Sequence, residues 1–236
     1  MSPLRTARTP FRGANERVEL DTPEFERVIL QHGYDARWSK ACLCPNRDPH
    51  QPDHHRVNCN ICDHHGFLYY DPVETKAIVT SLGKKQLMLP ESRYQPGMAY
   101  VSTLAQHKLS FWDKIELLTA ETRFTQVVPL GAQLTKTYTL KYPATEILGV
   151  FIDDGDRAPA GAYSIDEAGR IVFSARPQGN FISVSYKHHP VYILIDILHH
   201  IRDTIITVMA EDKEIELPTQ AVAQLDFLVR DEGATT

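Results

Sequence analysis

Residues 170–186, RIVFSARPQGNFISVSY, decide the fold class. Two short runs rich in β-branched and aromatic residues, RIVFS (170–174) and FISVSY (181–186), flank the turn-forming tetrapeptide PQGN (177–180). In the second run Ile182, Val184 and Tyr186 share one face and Ser183 and Ser185 the other, the period of two expected of a half-buried strand. Upstream, DEAG (166–169) supplies another turn. KTYTLKY (136–142) repeats the alternation, with Tyr138, Leu140 and Tyr142 opposite Thr137, Thr139 and Lys141. ILGVFI (147–152) is a further short β segment. Strand-like runs roughly every ten residues predict an antiparallel sandwich or barrel.

Toward the N-terminus the pattern is more mixed. Residues 22–32 predict a short helix: Asp21 or Thr22 can cap it, Pro23 suits its first turn and Gly33 its end. Phe25, Val28, Ile29 and His32 fall on one face, read as a packing face. FLYYDPVETKAIVTSL (67–82) predicts one or two strands, and MAYVSTL (98–104) another. LSFWDKIELL (109–118) is apolar around a central Asp–Lys pair. PVYILIDILHHIRD (190–203) and LPTQAVAQLDFLVRD (217–231) fit strand or helix. The chain therefore reads as mainly β with a few short helices (α+β). An antiparallel β-sandwich or barrel domain is joined by a small zinc-stabilised loop lobe. The expected layout is an extended N-terminal arm over 1–20, then a helix, zinc-knuckle lobe and first strands over 21–120. An antiparallel β domain with a C-terminal extension follows over 121–236.

At 42% hydrophobic and 23% charged residues the chain has enough apolar material for a core. A formal charge of −5 gives no global pull toward nucleic acid. The longest apolar runs, such as VYILIDIL (191–198), are too short to cross a bilayer. Residues 1–20 carry two prolines and four arginines and lack the apolar centre of a signal peptide. The expected setting is a reducing cytoplasm, where clustered thiols serve metals more often than disulfides.

All four cysteines, Cys42, Cys44, Cys59 and Cys62, fall within residues 42–66, CLCPNRDPHQPDHHRVNCNICDHHG. The spacing is C-x-C, fourteen residues, then C-x-x-C. Two thiol pairs on two tight turns can present four thiolates tetrahedrally to Zn2+. The first pair is one residue shorter than the common C-x-x-C. A tetrathiolate shell leaves no open coordination position, so the zinc would be structural, fixing a loop too polar to fold by burial. His64 or His65 can substitute for one cysteine; disulfides or free thiols are the remaining readings. His54 and His55 complete two DHH triplets (53–55 and 63–65), a weak signal for a metal-dependent phosphoesterase. The histidines in KHH (187–189) and LHH (198–200) read as surface or interface residues. No H-x-E precedes the C-x-x-C and no H-E-x-x-H occurs. No Gly-rich phosphate loop or G-x-S-x-G is present, so no enzyme is expected. A zinc-finger nucleic-acid-binding protein is the main alternative, supported by the Arg-bearing arm and opposed by the acidic balance.

Several segments in joint order resemble a group of tailed-bacteriophage virion proteins. FERVILQHGYDARWSKACLCPN (25–46) leads into NCNICDHHGFLYYDPVETKAIVTSL (58–82). In that family a C-x-C…C-x-x-C-x-G-x-G segment precedes an aromatic strand; here the Gly-x-Gly is reduced to Gly66. LSFWDKIELL is similar to the family's L-x-F-x-D-R-I. YSIDEAGRIVF, then GNFISVSYKHHPVYILIDILHHIRD and LPTQAVAQLDFLV, look like its C-terminal half. The likeness spans roughly residues 25–230. It implies a non-enzymatic neck protein: a head-to-tail connector, collar or gateway component, made in the host cytoplasm and placed between head and tail. It further implies self-association into a ring of six or twelve copies around the DNA channel. Portal or adaptor and tail-terminator proteins would be its neighbours, and DNA would pass without sequence readout. The acidic balance suits a channel wall that repels DNA. No membrane contact is expected.

Overall fold

The computed structural model of the chain describes residues 22–46, 62, 66–81, 97–130, 135–153, 155–197, 203–208, 211–216 and 219–229. The N-terminal arm expected over 1–20 lies outside them. Helix α1 (Thr22–His32) comes first. Of its predicted packing face only Ile29 is buried; Val28 is half-buried, and Phe25 and His32 are exposed. The Gly33 N–H closes the last turn on the Ile29 carbonyl at 2.8 Å. A Cβ at Gly33 would stand 2.4 Å from that oxygen, so only glycine fits there.

The strands that follow are β1 (Tyr34–Leu43), β2 (Phe67–Ser81), β3 (Met98–Thr103) and β4 (Lys114–Leu117). After them come β5 (Thr122–Pro129), β6 (Thr137–Tyr138), β7 (Ala144–Ile152), β8 (Tyr163–Ile165), β9 (Ile171–Phe173) and β10 (Phe181–His188). The last are β11 (Val191–Ile197), β12 (Asp203–Val208), β13 (Glu211–Glu216) and β14 (Gln220–Leu225), with a short helix α2 (Asp226–Val229) closing the order. The protein is mainly β, with antiparallel sheets and few helices, as the alternating sequence predicts.

The chain divides into two compact units. One draws on Met1–Ile115 and Tyr192–Thr236; the other is Glu116–Val191. Where the sequence suggests a single β domain over 121–236, strands β11 and β14 instead pair inside the first unit. The sequence leaves both segments open between strand and helix, and it does not carry their distant partners.

The first unit is a closed barrel in the order β1-β2-β3-β14-β11-β4. Register puts Val79, Val101 and Ala221 side by side, and Ala99 beside Ala223. Opposite residues in a ladder point to the same face. Ala36, Ala77, Ala99, Ala221 and Ala223, with Val101, Ile115 and Leu194, are all buried. A six-stranded barrel is narrow, so small inward residues are what its bore admits. β2 runs through the barrel as one long strand despite its Asp-Pro. Asp71 takes a positive φ of 45°, and the register with β1 shifts between Trp38 and Lys40. This β-bulge absorbs the proline, which cannot donate to a ladder. Strands β12 and β13 form a separate two-stranded ribbon.

The second unit holds two three-stranded sheets, β5-β10-β7 and β6-β9-β8. Both contribute to one core: Val128, Val150, Ile182, Val184 and Tyr186 from the first, Tyr138, Ile171 and Phe173 from the second. Burial of each large side chain contributes about 1.5–3 kcal/mol. Tyr138, Leu140 and Tyr142 are buried in alternation as predicted, although only Thr137–Tyr138 forms a paired strand. The predicted turn at DEAG is built by Asp166, whose carboxylate accepts from the N–H groups of Ala168 and Arg170. Gly169 follows at φ +72°, where a Cβ would meet Pro143 at 2.6 Å.

Candidate metal centre

One cysteine from each predicted pair comes together. Cys44 and Cys62 are both buried and share a small cluster with Leu68. Cys44 stands one residue past β1, and its N–H continues the ladder to the Gly66 carbonyl at 3.0 Å. Cys42 lies opposite Leu68 in the β1–β2 register. Residues two apart on a strand point the same way, so Cys42 and Cys44 share a face with Leu68. The C-x-C spacing, one short of a knuckle, is thus a strand spacing rather than a tight turn. The second pair leads into Gly66, which takes φ +74° before β2 begins. Cys42 itself is exposed. Cys59, His64 and His65, like His54 and His55, lie outside the described residues.

Two sulfurs buried against a leucine fit a thiophilic ion such as Zn2+, with Cys42 two positions upstream on the same strand face. Among the described residues no three His, Cys, Asp or Glu side chains gather at one point.

Beside the cysteines, β1 is held to the β3–β4 connection (residues 104–113) by polar ties that sequence reading passed over. Asp113 is only 1% exposed. Its Oδ2 accepts from Trp38 Nε1 at 2.9 Å and from the Ser110 N–H at 2.9 Å; its Oδ1 accepts from the Ala41 N–H at 3.0 Å. Burial pushes its pKa above the usual carboxylate value against these three donors and the nearby Lys40. The preceding Trp112 takes φ +70° and stacks on Phe67 at 5.0 Å, and Lys114 sits over Tyr69 at 4.6 Å. The available sequence signal was the central Asp–Lys pair inside the apolar run LSFWDKIELL.

His107 is the second tie. It is buried, its ring lies 5.1 Å from that of Trp38, and its Nε2 is 2.8 Å from Thr75 Oγ1 on β2. Burial holds its pKa below the usual imidazole value. The expectation of surface histidines at 187–189 fails for His188. It is 1% exposed, stacks on Tyr142 at 4.3 Å and meets Phe124 edge-on. Its place on the inward face of β10 explains this, since 182, 184, 186 and 188 alternate inward together. His199 and His200 lie outside the described residues.

Among the described residues no helix is long and apolar enough to cross a membrane. No family model matches the sequence, and no curated protein matches it either.

Proposed function

We propose that the protein is a non-enzymatic structural component of a tailed-bacteriophage virion. It forms a ring in the neck that joins portal to tail around the DNA channel, and its cysteine lobe is held by structural zinc. The observation that carries this reading is the burial of Cys44 beside Cys62, at the end of the β1–β2 ladder. One member of each of two distant thiol pairs converges there, against Leu68. Cys44 and Cys62 would hold the ion together with Cys42 and Cys59, or with His64 or His65 replacing one thiol. Bound zinc supplies cross-linking of the loop and no reactive site. The order of the family-like segments supports the virion role, and a β-rich chain without a nucleophile–base arrangement in its sequence suits a scaffold. Closed rings need heterologous contacts between identical copies, with portal, adaptor and tail-terminator proteins above and below.

The test has two arms. Elemental analysis of purified protein is expected to give about one zinc per chain, lost in the Cys44→Ser/Cys62→Ser variant. Electron-microscopy class averages are expected to show rings. Absence of metal removes the zinc reading; particles that never close into rings remove the neck reading.

A further inference from the structure

His107 sits where a proton has a mechanical consequence. Besides the backbone bonds of Trp112 and Asp113 to Leu194 and the stacking of Trp112 on Phe67, three side-chain hydrogen-bonding ties fasten the β3–β4 connection. The Ala105 N–H donates to Glu26 of α1 at 3.1 Å, His107 meets Thr75 of β2, and Asp113 meets Trp38 and Ala41 of β1. Of the three, the histidine is the group whose ordinary value lies near neutral pH. Its Nε2 faces two groups: the Thr75 hydroxyl at 2.8 Å and the Gln106 side-chain Nε2 at 3.4 Å. The amide nitrogen of glutamine only donates. The imidazole Nε2 is therefore the acceptor, and the ring hydrogen is on Nδ1. A second proton makes Nε2 a donor: the Thr75 hydroxyl must turn to accept from it, and the Gln106 amide nitrogen has no lone pair to offer.

We propose that His107 is a proton-operated release for the β3–β4 connection. The neutral ring holds the turn around His107 onto β2, and protonation at Nε2 lets that turn go while Trp112 and Asp113 stay bonded to Leu194.

The surrounding charges divide. Lys40 from β1 stands 5.7 Å from the Trp38 ring, so an imidazolium would place a second cation against the same indole. Asp113 on the indole N–H and Glu26 from α1 favour the cation. On β2, Glu74 and Lys76 flank Thr75, point to the opposite strand face and pair there with Arg37 and Asp35. Burial decides the balance, because a charged ring at 6% exposure loses most of its hydration. The folded state keeps His107 neutral to a lower pH than the unfolded chain does. Its contribution to stability is complete above the unfolded imidazole value, about 6.5, and is lost as pH falls through the lower folded value.

Trp38 reports the event directly. In the full chain carrying Trp112→Phe, Trp38 is the sole tryptophan. Between about pH 7.5 and about pH 5 its emission is expected to change in a one-proton transition centred below the ordinary imidazole value. The further change His107→Gln, which keeps an acceptor for Thr75 but cannot titrate, is expected to abolish that transition. An unchanged transition in the His107→Gln variant overturns the inference, as does a His107 ring resonance titrating at or above about 6.5. If His107→Gln does not fold, the resonance titration of the unsubstituted chain decides alone. Zinc content measured on the same samples separates this release from loss of metal. A transition that follows zinc and survives His107→Gln sinks the proton release while leaving the metal reading intact.

Discussion

Rings fill the core of Glu116–Val191: Tyr138, Tyr142, Phe173 and Tyr186 lie buried with isoleucines and valines from both sheets. The barrel interior is rich in alanines, and much of what fastens its β3–β4 connection is polar: Asp113 and His107 are buried there and hydrogen-bonded. In the sandwich, burial of area does the holding, and its large side chains are close-packed and interchangeable in kind. In the barrel, a narrow bore leaves little area per residue, so individual hydrogen bonds carry more of the structure. One region should therefore tolerate conservative changes that the other does not, and fail by a different route.

The sharpest test of that contrast is Asp113→Ala. It strands the Trp38 indole N–H and two backbone N–H groups in a buried place, and is expected to cost about 3–5 kcal/mol. Urea titration should show the loss in a transition belonging to the barrel while the Glu116–Val191 transition stays in place. Equal loss in both would break the comparison. Gly169→Ala tests the sandwich. The forced φ and the clash with Pro143 are expected to cost roughly 2–4 kcal/mol, this time in the other transition.

Alkaline denaturation sharpens the same point. Burial raises the Tyr186 hydroxyl from 10.0 to about 12. Above about pH 10 the unfolded chain loses this proton before the folded one does, so stability falls as pH rises from 10 to about 12. The total loss amounts to about 2–3 kcal/mol, and Tyr186→Phe should flatten that limb in the sandwich transition alone. Smallest of all, Arg27→Ala removes an exposed ion pair with Glu24 on α1. The unfolding midpoint should not move, because solvent screens such pairs; a measurable drop would mean that α1 contributes more to the barrel than Ile29 and the Glu26–Ala105 bond do.

Much of this fold was legible as period and punctuation. FISVSY, RIVFS and the turn DEAG sit where alternation and glycine place them. Helix α1 spans Thr22–His32 as its flanking proline and glycine predict. What could not be read was pairing at a distance. Nothing in QAVAQL announces that Gln220–Leu225 will lie beside Met98–Thr103, or in VYILIDI that it will close a barrel. The cysteine motif was legible as a list of thiols, but its first half was assigned the wrong geometry. Strand alternation, rather than a turn, sets Cys42 and Cys44 on one side. Asp113 and His107 were overlooked because single polar residues in apolar or mixed runs carry no period.

The Leu117 N–H bonds to the Pro190 carbonyl and the Trp112 N–H to the Leu194 carbonyl, so β4 and β11 run side by side from end to end. Topologically, everything from residue 118 to 189 is the loop of one hairpin. Such an arrangement makes the insert a cassette: recombination can exchange it, shorten it or replace it with a tight turn, and the ends to be rejoined are already neighbours. A lineage can thus alter what its protein touches while inheriting the barrel unchanged.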